Sequence, residues 1–264
     1  MSDTIVYLNG EYLPLSEAKV PVLDRGFLFG DGVYEVIPVY NGKPLRLAEH
    51  LRRLDNSLAG IRMTSPFTDD AWAALFDRLI DGTADQYIYL QVTRGAAPKR
   101  DHAIPASIQP TVFAMCSPIA PIPLDGIKAV TQEDIRWDRC NIKAITLLAN
   151  VLLRQEAVDR GAAEAILVRD NQVIEGAASN VFIVLDNTLI TPPKCEALLP
   201  GITRDLVLEL AAELGVETCE RFFSVDELKR AQVVELDGKA VGDGTPGSMW
   251  RRFQPAYQSY KTRS

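Results

Sequence analysis

Three prolines fall within the eight residues Ser117-Pro118-Ile119-Ala120-Pro121-Ile122-Pro123-Leu124, and no other feature constrains the fold of this chain as strongly. Each proline fixes φ and lacks a backbone N–H, so neither a helix nor an interior strand runs through such a stretch. The sequence is thereby divided into residues 1–117, a linker at 118–124, and residues 125–264. With 264 residues, 47% of them hydrophobic, it is long enough to fill two cores of ordinary size.

In the first part, Asn9-Gly10 separates two β-prone runs, the signature of a two-residue hairpin, and residues 34–40 followed by Asn41-Gly42 repeat it. Leu47, Leu51, Leu54 and Leu58 recur at helical spacing, which predicts one apolar helix face; Arg53 lies on that helix. A second helix is predicted over 69–80. Strands are predicted over 87–93 and 111–116, where aromatic and β-branched residues collect. In the second part the pattern predicts a strand over 126–134 and a helix over 145–159 that stops at Gly161. Short strands at 165–168, 173–175, 181–185 and 188–191, turned at Asp170-Asn171 and Asp186-Asn187, predict a compact antiparallel sheet or barrel. A helix over 202–214 ends at Gly215, and Ser224-Val225-Asp226-Glu227 has the capping-box pattern.

A net charge of −7 gives no electrostatic reason to bind nucleic acid. No run of about 18 apolar residues offers a membrane span, and Met1-Ser2-Asp3-Thr4 does not open a secretion signal, so a soluble cytoplasmic protein is expected. Four scattered cysteines and two histidines suggest neither a disulfide framework nor a metal site.

Four segments hold residue types that chemistry uses: Asp24-Arg25-Gly26-Phe27-Leu28-Phe29-Gly30-Asp31-Gly32-Val33-Tyr34-Glu35, Arg136-Trp137-Asp138-Arg139-Cys140-Asn141-Ile142-Lys143, Glu175-Gly176-Ala177-Ala178-Ser179-Asn180, and Leu199-Pro200-Gly201-Ile202-Thr203-Arg204. An amine that captures an aldehyde must give up its proton, which burial and positive neighbours favour; Arg136 and Arg139 stand close to Lys143. Taken by itself, Lys143 reads equally as a solvated surface lysine, and Glu175 as a solvated glutamate at a strand end. Gly201-Ile202-Thr203 opens a helix, where backbone N–H groups and the dipole favour an anion, although an ordinary Pro-Gly helix start has the same appearance. Arg100 and His102, two residues apart on a Gly/Pro loop, can converge on one carboxylate; a solvated basic loop is the alternative.

Together these segments closely resemble those of the fold-type IV pyridoxal-phosphate enzymes, the class IV aminotransferases, and among them the D-amino-acid enzymes. The likeness extends over nearly the whole chain. It implies an α+β, two-domain fold: a small N-terminal α/β domain and a larger C-terminal antiparallel β-barrel-like domain with helices. It implies pyridoxal 5'-phosphate as cofactor, with Lys143 as the Schiff-base lysine and carrier of the substrate Cα proton, and Glu175 on the pyridine nitrogen. Arg53, Gly201, Ile202 and Thr203 are implied for the phosphate and Leu199 for an apolar contact on the ring. Arg100, His102 and Tyr34 are implied for the substrate α-carboxylate, and Val36 for the pocket wall. The substrates implied are a D-amino acid such as D-alanine and a 2-oxo acid such as 2-oxoglutarate, and the assembly implied is a homodimer without metal, nucleic acid or membrane.

The sequence departs from that family in two places. Relatives follow the helix at 226–231 with a strand, a Ser/Thr-rich turn that touches the phosphate, and a return strand. Here Ala231-Gln232 runs straight into Val233-Val234-Glu235, about a dozen or more residues short of that pattern. Residues unobserved between Gln232 and Val233 explain this better than a true deletion, which would leave sheet edges unsatisfied. Ala178 stands where relatives often have serine. Branched-chain L-amino-acid aminotransferases and aminodeoxychorismate lyases share the cofactor chemistry; Arg100/His102 and the string Gly32-Val33-Tyr34-Glu35 argue against both. A non-catalytic relative that uses the fold as a scaffold is the alternative from another class, and it gains if the phosphate turn is truly absent.

Overall fold

At Asn9-Gly10 both residues take positive φ, 50° and 103°, and the strands on either side pair directly, β1 (Ile5–Leu8) with β2 (Glu11–Pro14). Two adjacent residues of positive φ match the right-handed twist of a tight hairpin, and Asn41-Gly42, Asp170-Asn171 and Asp186-Asn187 do the same. The computed structural model describes residues 4–120, 125–231, 235–240 and 245–263; the junction at Gln232 and Val233 and residues 121–124 of the expected linker lie outside these. Its two units interleave in sequence. Unit 1 comprises Met1–Ala120, Ile142–Thr146 and Lys261–Ser264, and unit 2 comprises Pro121–Asn141 and Leu147–Tyr260.

Unit 1 continues with α1 (Arg25–Phe29), β3 (Gly32–Tyr40), β4 (Lys43–Pro44), α2 (Leu47–Gly60), α3 (Asp69–Asp77), β5 (Gln86–Thr93) and β6 (Thr111–Pro118). Its strands form one antiparallel sheet in the order β2-β1-β6-β5-β3-β4. The expected leucine face of α2 is the buried one: Leu51, Leu54 and Leu58 join Trp72, Leu75 and Phe76 of α3 over Ile88, Leu90 and Val92 of β5. Burying a side chain of this size contributes about 1.5–3 kcal/mol each.

β5 covers one edge of β3 along its length, and β4 reaches only Val39 and Tyr40 on the other. The remaining edge is paired by residues 143–145. Tyr34 N–H donates to the Lys143 carbonyl at 2.9 Å, Ile145 N–H to the Gly32 carbonyl at 3.1 Å, and Val33 bridges Ala144. Ile142 seats against Gly60, where an added Cβ would lie 2.9 Å from its Cγ1 and Cδ1. This extended pairing is why the helix expected from residue 145 begins only at Leu148.

Unit 2 comprises β7 (Lys128–Glu133), α4 (Leu148–Asp159), β8 (Glu164–Arg169), β9 (Gln172–Gly176), β10 (Ile183–Leu185), β11 (Thr188–Thr191), α5 (Ile202–Glu213), β12 (Thr218–Glu220), β13 (Phe223–Ser224), α6 (Val225–Arg230), β14 (Glu235–Leu236), β15 (Lys239–Ala240) and α7 (Ser248–Arg263). The α+β architecture is as expected. The antiparallel, barrel-like arrangement needs correction: the sheets are β13-β9-β8-β7-β14-β15 and β10-β11-β12, with β7 parallel to β8 and β14 and β11 parallel to β12. Among the described residues no pairing closes either sheet into a barrel. The cause is connection length. α4 lies between β7 and β8 and α5 between β11 and β12, and a helical crossover returns a chain parallel where a two-residue turn cannot. The capping box at Ser224 and Glu227 is formed. No described helix is long and apolar enough to cross a membrane.

Candidate active site

In unit 1, Lys143 is half-buried on the segment paired to β3, between Ile142 and Ala144, which are buried in the core. Its backbone N–H donates to Ser57 Oγ at 3.1 Å and its Nζ lies 4.2 Å from the centroid of the Tyr34 ring. The structure therefore brings together Lys143 and Tyr34, two of the residues expected in the site. Side chains alternate along a strand, so half-buried Tyr34 and Val36 share one face of β3 while Glu35 enters the other.

Glu35 is fully buried under α2 and takes three donors: Arg53 Nε on Oε1, Arg53 Nη2 on Oε2, and His50 Nδ1 on Oε2, each at 2.8 Å. Burial would raise its pKa; the bonds to Arg53 and His50 outweigh that and hold it at about 2. Burial lowers the pKa of His50, and with the charges of Arg53 and Lys143 it outweighs the Glu35 carboxylate that would raise it; the neutral ring is favoured and donates through Nδ1–H. Arg53 is thus aimed by a carboxylate.

Arg100 and His102 are both exposed, and the Phe29 ring gathers them: its centroid lies 5.0 Å from the Arg100 guanidinium carbon and 5.2 Å from the His102 ring.

In unit 2, Glu175 ends β9 and is buried. Arg136 Nη1 donates to its Oε1 at 2.5 Å, Asn180 Nδ2 to Oε2 at 3.0 Å, and the Leu199 N–H to Oε2 at 3.1 Å. Asn180 Nδ2 also reaches the Leu199 carbonyl at 3.0 Å, which joins the two loops that carry Glu175 and Leu199. Arg136, expected as a positive neighbour of Lys143, has carboxylate partners within unit 2. Its Nε and Nη2 bind Asp134 at 2.9 and 3.0 Å and its Nη1 binds Glu175, so two carboxylates match its charge, while Arg139 is exposed. Burial, only partly offset by Arg136 and the Leu199 amide, pushes Glu175 up to about 7.

Gly201 is the N-cap of α5 and supplies no side chain to its first turn. A Cβ at this position would overlap Asn180 Oδ1. Ile202 is half-buried and Thr203 exposed in that turn. Within unit 2, a buried carboxyl held near neutrality and bare backbone at the start of α5 are groups that could serve a ring nitrogen and an anion.

Sequence reasoning gave no role to Glu35, His50, Asn180 or Arg25. His50 and Arg53 stand three apart on α2, a spacing that puts both on one face and was the available signal.

Residues 32–236 match the family described as Amino-transferase class IV, and the chain belongs to it. It is 39% identical to the D-alanine aminotransferase of Bacillus licheniformis over 96% of each chain. Identity to the D-alanine aminotransferase of Staphylococcus haemolyticus is 37%, over 97% of this chain and 98% of that one. Among solved structures, the branched-chain aminotransferase of Thermoproteus uzoniensis with norvaline superposes at a TM-score of 0.89 and 26% identity, covering 100% of this chain and 96% of that one. The branched-chain amino acid aminotransferase of Escherichia coli does so at 0.87 and 28%, covering 98% of this chain and 94% of that one.

Proposed function

We propose that this aminotransferase uses pyridoxal 5'-phosphate to move the amino group of a D-amino acid such as D-alanine to a 2-oxo acid such as 2-oxoglutarate. The observation that carries the reading is identity of 37–39% to D-alanine aminotransferases over nearly the whole chain, against 26–28% to the branched-chain enzymes named above. The Arg100/His102 pair beside Phe29 supports it. A homodimer and a cytoplasmic location belong to the same proposal and rest on the family resemblance.

When bound, the cofactor supplies an aldehyde and an electron-withdrawing ring. Lys143 Nζ would be the amine for that aldehyde and would take and return the substrate Cα proton. Glu175 would hold a proton at the ring nitrogen. Arg53, oriented by Glu35, would act with Gly201, Ile202 and Thr203 on the phosphate, and Leu199 would offer the ring an apolar contact. Tyr34, Arg100 and His102 take the α-carboxylate, and Val36 lines the pocket.

The test is a coupled assay of the protein supplied with pyridoxal 5'-phosphate, using D-alanine and 2-oxoglutarate against L-leucine and L-valine. D-Alanine should be the preferred donor. Lys143→Ala should abolish turnover and the visible absorbance of the bound cofactor, and retained turnover would remove the central assignment. Arg100→Leu should lower kcat/KM for D-alanine about ten- to a hundredfold, the worth of one or two charge-assisted bonds. Preference for L-leucine or L-valine would overturn D-specificity while leaving the aminotransferase intact.

A further inference from the structure

β5 ends at Thr93 and β6 begins at Thr111, and the residues between form a long loop that carries Arg100 and His102. A loop of this length is free to take many conformations unless something holds it. The segment Asp24-Arg25-Gly26 supplies that hold at two levels.

The neck is tied first. Asp24 is fully buried; its Oδ1 accepts from Thr93 Oγ1 and from Gly26 N–H at 2.8 Å each, and its Oδ2 from Thr111 Oγ1 at 2.6 Å. One carboxylate thus fastens both ends of the loop. The Arg25 N–H donates to the Gly95 carbonyl at 2.9 Å. Gly95 has φ 99° and a Cβ there would overlap the Gln109 carbonyl, so the two limbs touch. Gly26 is required too, since a Cβ on it would overlap Thr93 Cγ2.

The tip is tied by the Arg25 side chain, itself 5% exposed. Nη1 donates to the Asp101 carbonyl at 2.6 Å and the Ala103 carbonyl at 3.3 Å, and Nη2 to the His102 carbonyl at 3.3 Å. Nε binds Asp31 Oδ2 at 2.7 Å. Asp31 is held in turn by Arg94, whose Nη2 also reaches the Ile61 carbonyl at 2.6 Å. Three successive carbonyls around His102 therefore rest on one guanidinium, a bridge that needs the planar, many-donor fork of arginine. The Phe29 ring lies 4.9 Å from that guanidinium and carries Arg100 and His102 beside it.

We propose that Asp24-Arg25-Gly26 is a clamp that positions the recognition loop, with Arg25 the positioning residue that fixes Arg100 and His102 for the substrate carboxylate. This rests on the assignment of Arg100 and His102 to that carboxylate. Arg25 itself touches no substrate. Its loss should weaken binding of substrate in ground and transition state alike, which appears in KM rather than kcat.

The experiment uses the cofactor-loaded enzyme and the variants Arg25→Lys, Phe29→Leu, Arg100→Leu and the double variant Arg25→Lys/Arg100→Leu. Arg25→Lys should raise KM for D-alanine about tenfold with kcat within about threefold. Hydrogen exchange should quicken at the amides of residues 99–104 and stay unchanged in α2 and β5. In the Arg100→Leu background the lysine substitution should add less than about twofold, because both changes act on one interaction. Phe29→Leu, which alters only a half-buried ring, should reproduce the KM-selective loss if Arg25→Lys proves poorly folded. Unchanged exchange at 99–104, quickened exchange throughout unit 1, or fully additive effects in the double variant would each overturn the clamp. If Arg100→Leu alone leaves D-alanine kinetics intact, the carboxylate assignment falls, and exchange at 99–104 decides by itself whether Arg25 holds the loop.

Discussion

Each unit buries a glutamate against an arginine, and the two carboxyls finish far apart in acidity: Glu35 at about 2 in unit 1, Glu175 at about 7 in unit 2. Both begin with the same penalty, the loss of water around a negative charge. Glu35 receives two arms of Arg53 together with His50. Glu175 receives one arm of Arg136, because the other two serve Asp134, whose own negative charge adds to the rise. An arginine whose donors are divided between two carboxylates, as those of Arg136 are, neutralises each of them less. The first glutamate is a fixed anion that aims Arg53; the second remains responsive to a cation placed beside it, as a protonated ring nitrogen would be.

The largest effect should come from breaking the Glu35–Arg53 pair. Glu35→Gln leaves Arg53 buried without its counter-charge and should cost about 3–5 kcal/mol in urea unfolding; a loss below about 1 kcal/mol would erase the distinction between the two sites. Acid should act next. The depressed pKa of Glu35 means that its contribution is complete above about 4.5 and disappears as pH falls toward about 2, on the order of 3 kcal/mol. Glu175 works in the opposite sense, its contribution present below about 4.5 and lost as pH rises through about 7. Unfolding free energies measured across pH 2–8 for wild type and Glu175→Gln test both signs, and a wild-type advantage that grows with pH would reverse the second.

Glu175→Gln should slow single turnover of D-alanine about a hundredfold, the worth of one strong charge-assisted bond at the ring; an unchanged rate would remove Glu175 from that role. The smallest shift should follow Asp134→Asn, which leaves Arg136 to Glu175 and should lower the Glu175 pKa by about one unit. Carbon-13 NMR titration of labelled glutamate would read it. A value still near 7 would mean that sharing of Arg136 is not what raises this carboxyl.

Much of this was legible because it is local. Asn9-Gly10, Asp170-Asn171 and the Ser224–Glu227 box each act within a few residues, and each takes its expected geometry. The leucine spacing of α2 gave its buried face for the same reason. Contacts far apart in sequence were not legible: Arg136 meets Glu175 across 39 residues, and Arg25 meets Asp101 across 76. Nor does composition reveal a strand edge that needs covering. Residues 145–147 have helical character, yet Ile145 is spent on the exposed N-terminal edge of β3.

Ile142–Thr146 belongs to unit 1 although the chain has by then begun unit 2. During synthesis, Ala120 leaves the ribosome a few seconds before Thr146 at about 5–20 residues per second. For that interval the nascent sheet lacks its last pairing partner and displays the open edge at Gly32–Tyr34, the kind of edge on which neighbouring chains associate. A fragment cut at the prolines would be held permanently at that stage, without Ile142 in its core and without Lys143.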